Sequence, residues 1–349
     1  MTEEIKNQED EIKKAEPSEL LVIDGLCKSY GETFAFSDFS MTVPRGGIHG
    51  LLGPKGAGKT TLLEILSGSV SADGGSVLLN GRQVRAEAKD VKAKIGYMAE
   101  LSPYYRDMTV SETLDFVGAC RGVSSDKRYR QIKEAAELVG LDAVKGRLVG
   151  RLTSTEEKRL GLAASLLGNP SILLLDEPVP KGGKETEAEF FELLRMLGQI
   201  KTILLATSEF HVARALCEDV AILSDGKLLV KDRFESLEKK MLSTRVLHLS
   251  ARGEKEALCA RLGVLPGVVG CDIRPEGKAG ELSIRLEYRS EQDLRPLVSA
   301  TLSELGTPVL SMRDGSLTLE EVYRSLTAAS AGSEKNKEAA QAVADRKED

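Results

Sequence analysis

Residues 53–61 read Gly-Pro-Lys-Gly-Ala-Gly-Lys-Thr-Thr, a spacing of glycines ahead of a lysine and two hydroxyls that suits the binding of phosphate. Gly53, Gly58, Lys59 and Thr60 satisfy G-x-x-x-x-G-K-[ST], in which backbone amides wrap the phosphates of a nucleotide, the lysine reaches the terminal phosphates and the hydroxyl ligates Mg²⁺. Pro54, Lys55, Gly56 and Ala57 fill the loop, and Thr61 follows it into a helix. A second group of reactive residues lies in SILLLDEP, Ser171–Pro178, where an apolar run ends in Asp176 and Glu177. Paired carboxylates at that position divide two tasks. Asp176 enters the Mg²⁺ shell, and Glu177 orients or deprotonates the attacking water, an effect typically worth about 10²–10⁴-fold in rate. The combination implies binding and hydrolysis of ATP with Mg²⁺.

Such residues act only if strands and helices bring them together. The apolar stretch 47–52 predicts a strand before the loop, and 61–67 predicts a helix after it, whose N-terminus favours negative charge. Ile172–Leu175 reads as a strand buried on both faces of a parallel sheet, and open α/β sheets place ligands at the carboxyl ends of their strands. The predicted fold class is therefore α/β, a parallel sheet with crossover helices.

With these motifs in place, the chain resembles the ATP-binding subunit of an ATP-binding-cassette (ABC) transporter, of the branch serving drug, sodium or gliding-motility type exporters. The resemblance spans roughly residues 20–330. It implies a P-loop ABC ATPase domain over 20–240 with a helical subdomain at about 101–165, beginning around MTVSETLDFVGACRG and ending in the signature helix. In LCKSYGETFAF it makes Tyr30 the aromatic that stacks on the base, where the residue alone would read as packing. In IGYMAELSPYYRDMTVSETLDF, Glu100 stands where the commonest family residue is Gln, and its carboxylate can still reach Mg²⁺. Pro103, Tyr104 and Tyr105 either face a coupling helix of a membrane permease or belong to the subdomain core.

Three later motifs depart from the family. The signature LSGGQ, which caps the γ-phosphate of ATP on the opposite subunit, is replaced by Leu152, Thr153, Ser154, Thr155 and Glu156. Thr153-x-x-Glu156 still forms a capping box, so a helix is expected. Glu156 and Glu157 add negative charge to its first turn. One such carboxylate at ~4 Å from one phosphate charge, with an effective dielectric near 20, opposes it by about 4 kcal/mol. The D-loop is replaced by Val179, Pro180, Lys181, Gly182, Gly183 and Lys184, without its aspartate, and Ser208 stands at the position of the switch histidine. His211, three residues on, reads as a surface residue. The groups that act within one chain are kept, while those that cross a dimer or sense the γ-phosphate are changed. This implies a subunit that binds Mg·ATP, is weakly active alone, and pairs with a second ATPase subunit, a heterodimer being favoured over a homodimer. A non-hydrolysing, nucleotide-sensing subunit is the alternative. A soluble non-transport ABC ATPase fits less well, because the chain has no second phosphate loop and no sustained heptads.

Composition fits an intracellular protein. The 349 residues are 41% hydrophobic with no Trp, and the net charge of −6 argues against a nucleic-acid partner. No apolar window reaches 18 residues, so the expected location is cytoplasmic, on the inner face of the membrane through a permease. The five cysteines, Cys27, Cys120, Cys217, Cys259 and Cys271, form no C-x-x-C pair and read as reduced thiols. Residues 1–19 and 330–349 read as charged flexible tails. Residues 245–329 alternate as strand, helix, strand, strand, helix, strand, a ferredoxin-like α+β unit whose role is dimer support, regulation or passive packing. A closing helix is expected at LTLEEVYRSLT.

Overall fold

The computed structural model describes residues 19–31, 33–84, 88–237, 245–275, 281–289, 293–316 and 323. The expected tails and closing helix lie outside these, save Tyr323 and Glu19, which begins the first strand instead of ending a tail. Among the described residues the chain divides into two units between Asp232 and Arg233.

The first unit opens with strands β1 (Glu19–Tyr30) and β2 (Thr33–Pro44), then β3 (Ile48–Leu52) and helix α1 (Lys59–Leu66). It continues through β4 (Gly74–Leu79), β5 (Arg82–Gln83), α2 (Lys89–Lys92) and β6 (Ile95–Met98). Three helices follow, α3 (Val110–Cys120), α4 (Ser125–Val139) and α5 (Ser154–Leu166). The unit closes with β7 (Ile172–Asp176), α6 (Lys184–Ile200), β8 (Thr202–Thr207), α7 (Phe210–Leu216), β9 (Asp219–Ser224) and β10 (Lys227–Arg233).

Two sheets result. One is antiparallel in the order β2-β1-β4-β5; the other runs β10-β9-β3-β8-β7-β6, with β3, β6, β7, β8 and β9 parallel. Every residue of β3, β7 and β8 is buried, as expected for strands covered on both faces. One apolar cluster joins Leu26, Phe36 and Val43 of the first sheet to Leu51, Leu174 and Leu204 of the second through Leu62, Leu63 and Leu66 of α1. Each such leucine contributes about 1.5–3 kcal/mol on burial, so the helix that follows the phosphate loop is anchored between two sheets.

Two glycines matter for geometry. Gly58 has φ +95°, and a Cβ there would lie 2.8 Å from Phe36 Cζ, so only glycine lets the loop turn into α1. A Cβ on Gly96 would lie 2.2 Å from the Ser165 carbonyl, so β6 and the end of α5 touch backbone to backbone.

The second unit contains β11 (Arg245–Arg252), α8 (Lys255–Leu262), β12 (Val268–Pro275), β13 (Glu281–Tyr288), α9 (Arg295–Glu304) and β14 (Val309–Ser316). Its sheet order, β12-β13-β11-β14, with antiparallel pairing throughout, is that of the ferredoxin-like split β-α-β-β-α-β unit read from the sequence. Leu258, Leu262, Val298 and Leu302 of the helices pack on Leu247, Ile284 and Leu286 of the sheet.

Candidate active site

The carboxyl ends of β3, β6, β7 and β8 converge on one cleft of about 890 Å³. Tyr30, Lys59, Thr60, Glu100, Asp176 and Glu177 line it, so residues far apart in the chain meet in one place. Lys55, Gly56, Gly58 and Thr61 line it too. Gly53 and Pro54 enter through their carbonyls, which accept hydrogen bonds from Lys59 Nζ at 2.8 and 3.0 Å. Ala57 is buried in the core behind the loop.

Burial lowers the Lys59 ammonium from its ordinary pKa, while Glu177, Asp176 and Glu100 raise it in opposition. A lysine surrounded by three carboxylates and a glycine loop is suited to terminal phosphates. The Thr60 hydroxyl donates to Asp176 Oδ2 at 2.7 Å, whereas the buried Oδ1 has no hydrogen-bond partner. Burial raises the Asp176 carboxyl, and nearby Glu177 and Glu100 add to this against the Thr60 bond. An orphaned carboxylate oxygen beside a hydroxyl, with two further acids near, fits a hydrated divalent cation.

Glu177 is held at four points. Its φ is +45°, uncommon for a residue with a Cβ. Its amide donates to the Ala206 carbonyl at 2.9 Å and its own carbonyl accepts from Lys158 Nζ at 2.7 Å. Its carboxylate accepts from the Ser208 amide at 2.7 Å on Oε1 and from the Thr207 hydroxyl at 2.9 Å on Oε2. Ser208 thus acts through its main chain, which any residue supplies. Sequence reasoning missed Thr207 and Lys158. An alternating charge pattern gives no sign of either, since both act through contacts between elements.

Tyr30 is 51% exposed at the cleft, with Lys28 Nζ 5.1 Å from its ring centroid. Asp73 fixes this strand end by accepting from Lys28 Nζ at 2.8 Å and from the Ser29 amide and hydroxyl at 2.7 and 2.9 Å. Tyr104 and Tyr105 part company: the first is half-buried, while the second is exposed with its ring edge-on to Phe116. His211 is exposed on the cleft wall, its Nε2 2.8 Å from Glu187.

The α5 N-terminus carries the expected capping box. The Thr153 hydroxyl accepts from the Glu156 amide at 3.2 Å, and Glu156 Oε2 accepts from the Thr153 amide at 2.8 Å. The expected repulsion by Glu156 needs correction, because Arg147 Nη1 lies 2.8 Å from its other oxygen and offsets the charge. The Thr153 amide, the Thr153 hydroxyl and Arg147 together hold the Glu156 carboxyl below the usual range, so it stays ionised. The Glu156 amide is thus taken within the chain, and the Glu156 charge is paired.

Comparison with known proteins is consistent with this geometry. The family profile described as ABC transporter matches residues 36–180. An uncharacterized ABC transporter ATP-binding protein, YxlF of Bacillus subtilis (strain 168), is 35% identical over 237 residues, covering 68% of this chain and 78% of that protein. The daunorubicin/doxorubicin resistance ATP-binding protein DrrA of Streptomyces peucetius is 28% identical over 331 residues, 93% of this chain and 98% of that one. Among solved structures, a nucleotide-free ATP-binding cassette from an ABC transporter superposes with a TM-score of 0.57 at 21% identity, covering 64% of this chain and 95% of the other. At that identity the likeness establishes the fold.

Proposed function

The chain belongs to the ABC transporter ATP-binding proteins, and from that premise we propose that it binds Mg·ATP in the cleft and couples its hydrolysis to a separate membrane permease of an exporter. The four-point hold on Glu177 beside the Asp176–Thr60 pair carries the reading. The loop of Gly53, Pro54, Lys55, Gly56, Ala57 and Gly58, with Thr61 behind it, presents amides to the phosphates, Lys59 neutralises them, and Tyr30 offers its ring to the base. Thr60 and Asp176 would hold Mg²⁺, with Glu100 lining the same cleft as a further carboxylate for it. When bound, the ion supplies charge neutralisation at the phosphates. Glu177, aimed by Thr207 and Ser208, accepts a proton from the attacking water. Lys59→Ala is expected to abolish nucleotide binding, and Glu177→Gln to keep binding while turnover falls at least 100-fold. Equal turnover by Glu177→Gln and the unmodified chain would remove Glu177 from this role.

ABC ATP-binding subunits work with a permease and as dimers. The finer assignment is a heterodimer, supported by the α5 N-terminus, whose amide is already capped within the chain. In this arrangement an intact second subunit supplies its signature helix to Lys59 and Glu177. Purification of the complex tests it: two copies of this chain without a second ATPase would exclude it. Among the described residues no helix is long and apolar enough to cross a membrane, and the proposed location is the inner face of the membrane through the permease.

A further inference from the structure

Lys158 sits on α5 and brings a second, half-buried ammonium to the cleft. Its Nζ donates to the carbonyl of Glu100 at 2.8 Å and to the carbonyl of Glu177 at 2.7 Å. These acceptors lie just beyond the ends of β6 and β7, neighbouring parallel strands paired through Met98 and Leu175. The tight approach of Gly96 to the Ser165 carbonyl lays α5 along β6, close enough for a lysine on the helix to span both strand ends.

We propose that Lys158 is a positioning residue that joins the helix α5 to the two acidic strand ends, holding the left-handed turn at Glu177 and the backbone at Glu100 so that both carboxylates stay directed at the cleft. The inference rests on the hydrolytic reading of Glu177. A left-handed non-glycine residue is strained and persists only where its surroundings fix it. At Glu177 the amide and carboxylate bonds all come from β8 and the residue after it, Ala206, Thr207 and Ser208. Among the described residues that hydrogen-bond to Glu177, Lys158 alone belongs to the helical segment, so a displacement of α5 reaches the Glu177 carbonyl through this side chain.

The test compares Lys158→Met, Lys158→Arg and Lys158→Gln in the full chain. Hydrogen exchange in the nucleotide-free protein is followed on peptides covering residues 99–105 and 177–183, beside ATP affinity, KM and kcat. The expected result for Lys158→Met is roughly tenfold faster exchange in both peptides and roughly tenfold lower kcat, with affinity and KM within about twofold, and recovery of both in Lys158→Arg. Unchanged exchange in Lys158→Met overturns the proposal, as does a fall in affinity and melting temperature that Lys158→Arg shares. Should Lys158→Met not fold, Lys158→Gln is judged by the same criteria. An unmodified chain without turnover counts against the hydrolytic reading, while the exchange measurement still decides the role of Lys158.

Discussion

Replacing Thr207 by valine keeps the shape of the side chain and removes one hydroxyl with two duties. Thr207 is 1% exposed, and its Oγ1 donates to Glu177 Oε2 at 2.9 Å while accepting from the Glu209 amide at 3.1 Å. The bond to the carboxylate, charge-assisted but at a half-buried acid, is worth about 1.5 kcal/mol, and stranding the Glu209 amide costs about 1 kcal/mol more. The sum of about 2.5 kcal/mol lowers the melting temperature of a unit this size by roughly 5–10 °C. Glu177 keeps the Ser208 amide on Oε1 but is free to turn about it, and the lost bond converts to about tenfold in kcat. Thermal unfolding and steady-state Mg·ATP hydrolysis on Thr207→Val and Thr207→Ser give the result, with serine expected to restore most of both. The reasoning is refuted if valine matches the unmodified chain in kcat, or if serine falls as far as valine.

Three other outcomes are expected. The Lys28 ammonium, followed by the Ser29 amide and hydroxyl, holds the Asp73 carboxyl down to about 2. Because the folded value lies below the ordinary one, its contribution is complete above pH ~4 and disappears as the pH falls towards 2; the gap in melting temperature between Asp73→Asn and the unmodified chain should close over that interval. Gly96→Ala puts a methyl group against the Ser165 carbonyl, and a stability loss of about 3 kcal/mol or more is expected in denaturant titration; a loss under 1 kcal/mol would mean that α5 can retreat freely from β6. Burial first, then the neighbouring Cys259, pushes the Cys271 thiol up to about 11, so iodoacetamide at pH 8 should alkylate exposed Cys120 and Cys259 well before Cys271, with equal labelling rates in peptide mass spectra as the contrary result.

Much of this arrangement was legible in the residues because its signals are local. Gly53–Thr61 carries its own turn and helix, Ile172–Asp176 its buried strand, Thr153–Glu156 its cap, and the second unit its order of elements. What escaped was contact between distant segments. Arg147 neutralising Glu156, Asp73 anchoring Ser29, and Lys158 reaching two carbonyls each depend on how strands and helices are stacked, and no periodicity encodes that. Cys259 and Cys271 show the same limit: twelve residues apart and read as unrelated thiols, they interact through α8 and β12.

The cap on α5 has a consequence for linkage. A helix whose first amides wait for an outside anion gains order when the anion arrives, so that its melting and its occupancy are thermodynamically coupled. In α5 the Thr153 hydroxyl takes the Glu156 amide and the Glu156 carboxylate, paired with Arg147, takes the Thr153 amide, all from within the chain. This cap draws no free energy from a ligand, and the Thr153 and Glu156 amides should be as protected from exchange without nucleotide as with it. To any subunit packed against it, α5 presents a preformed cap whose hydrogen bonds do not depend on nucleotide.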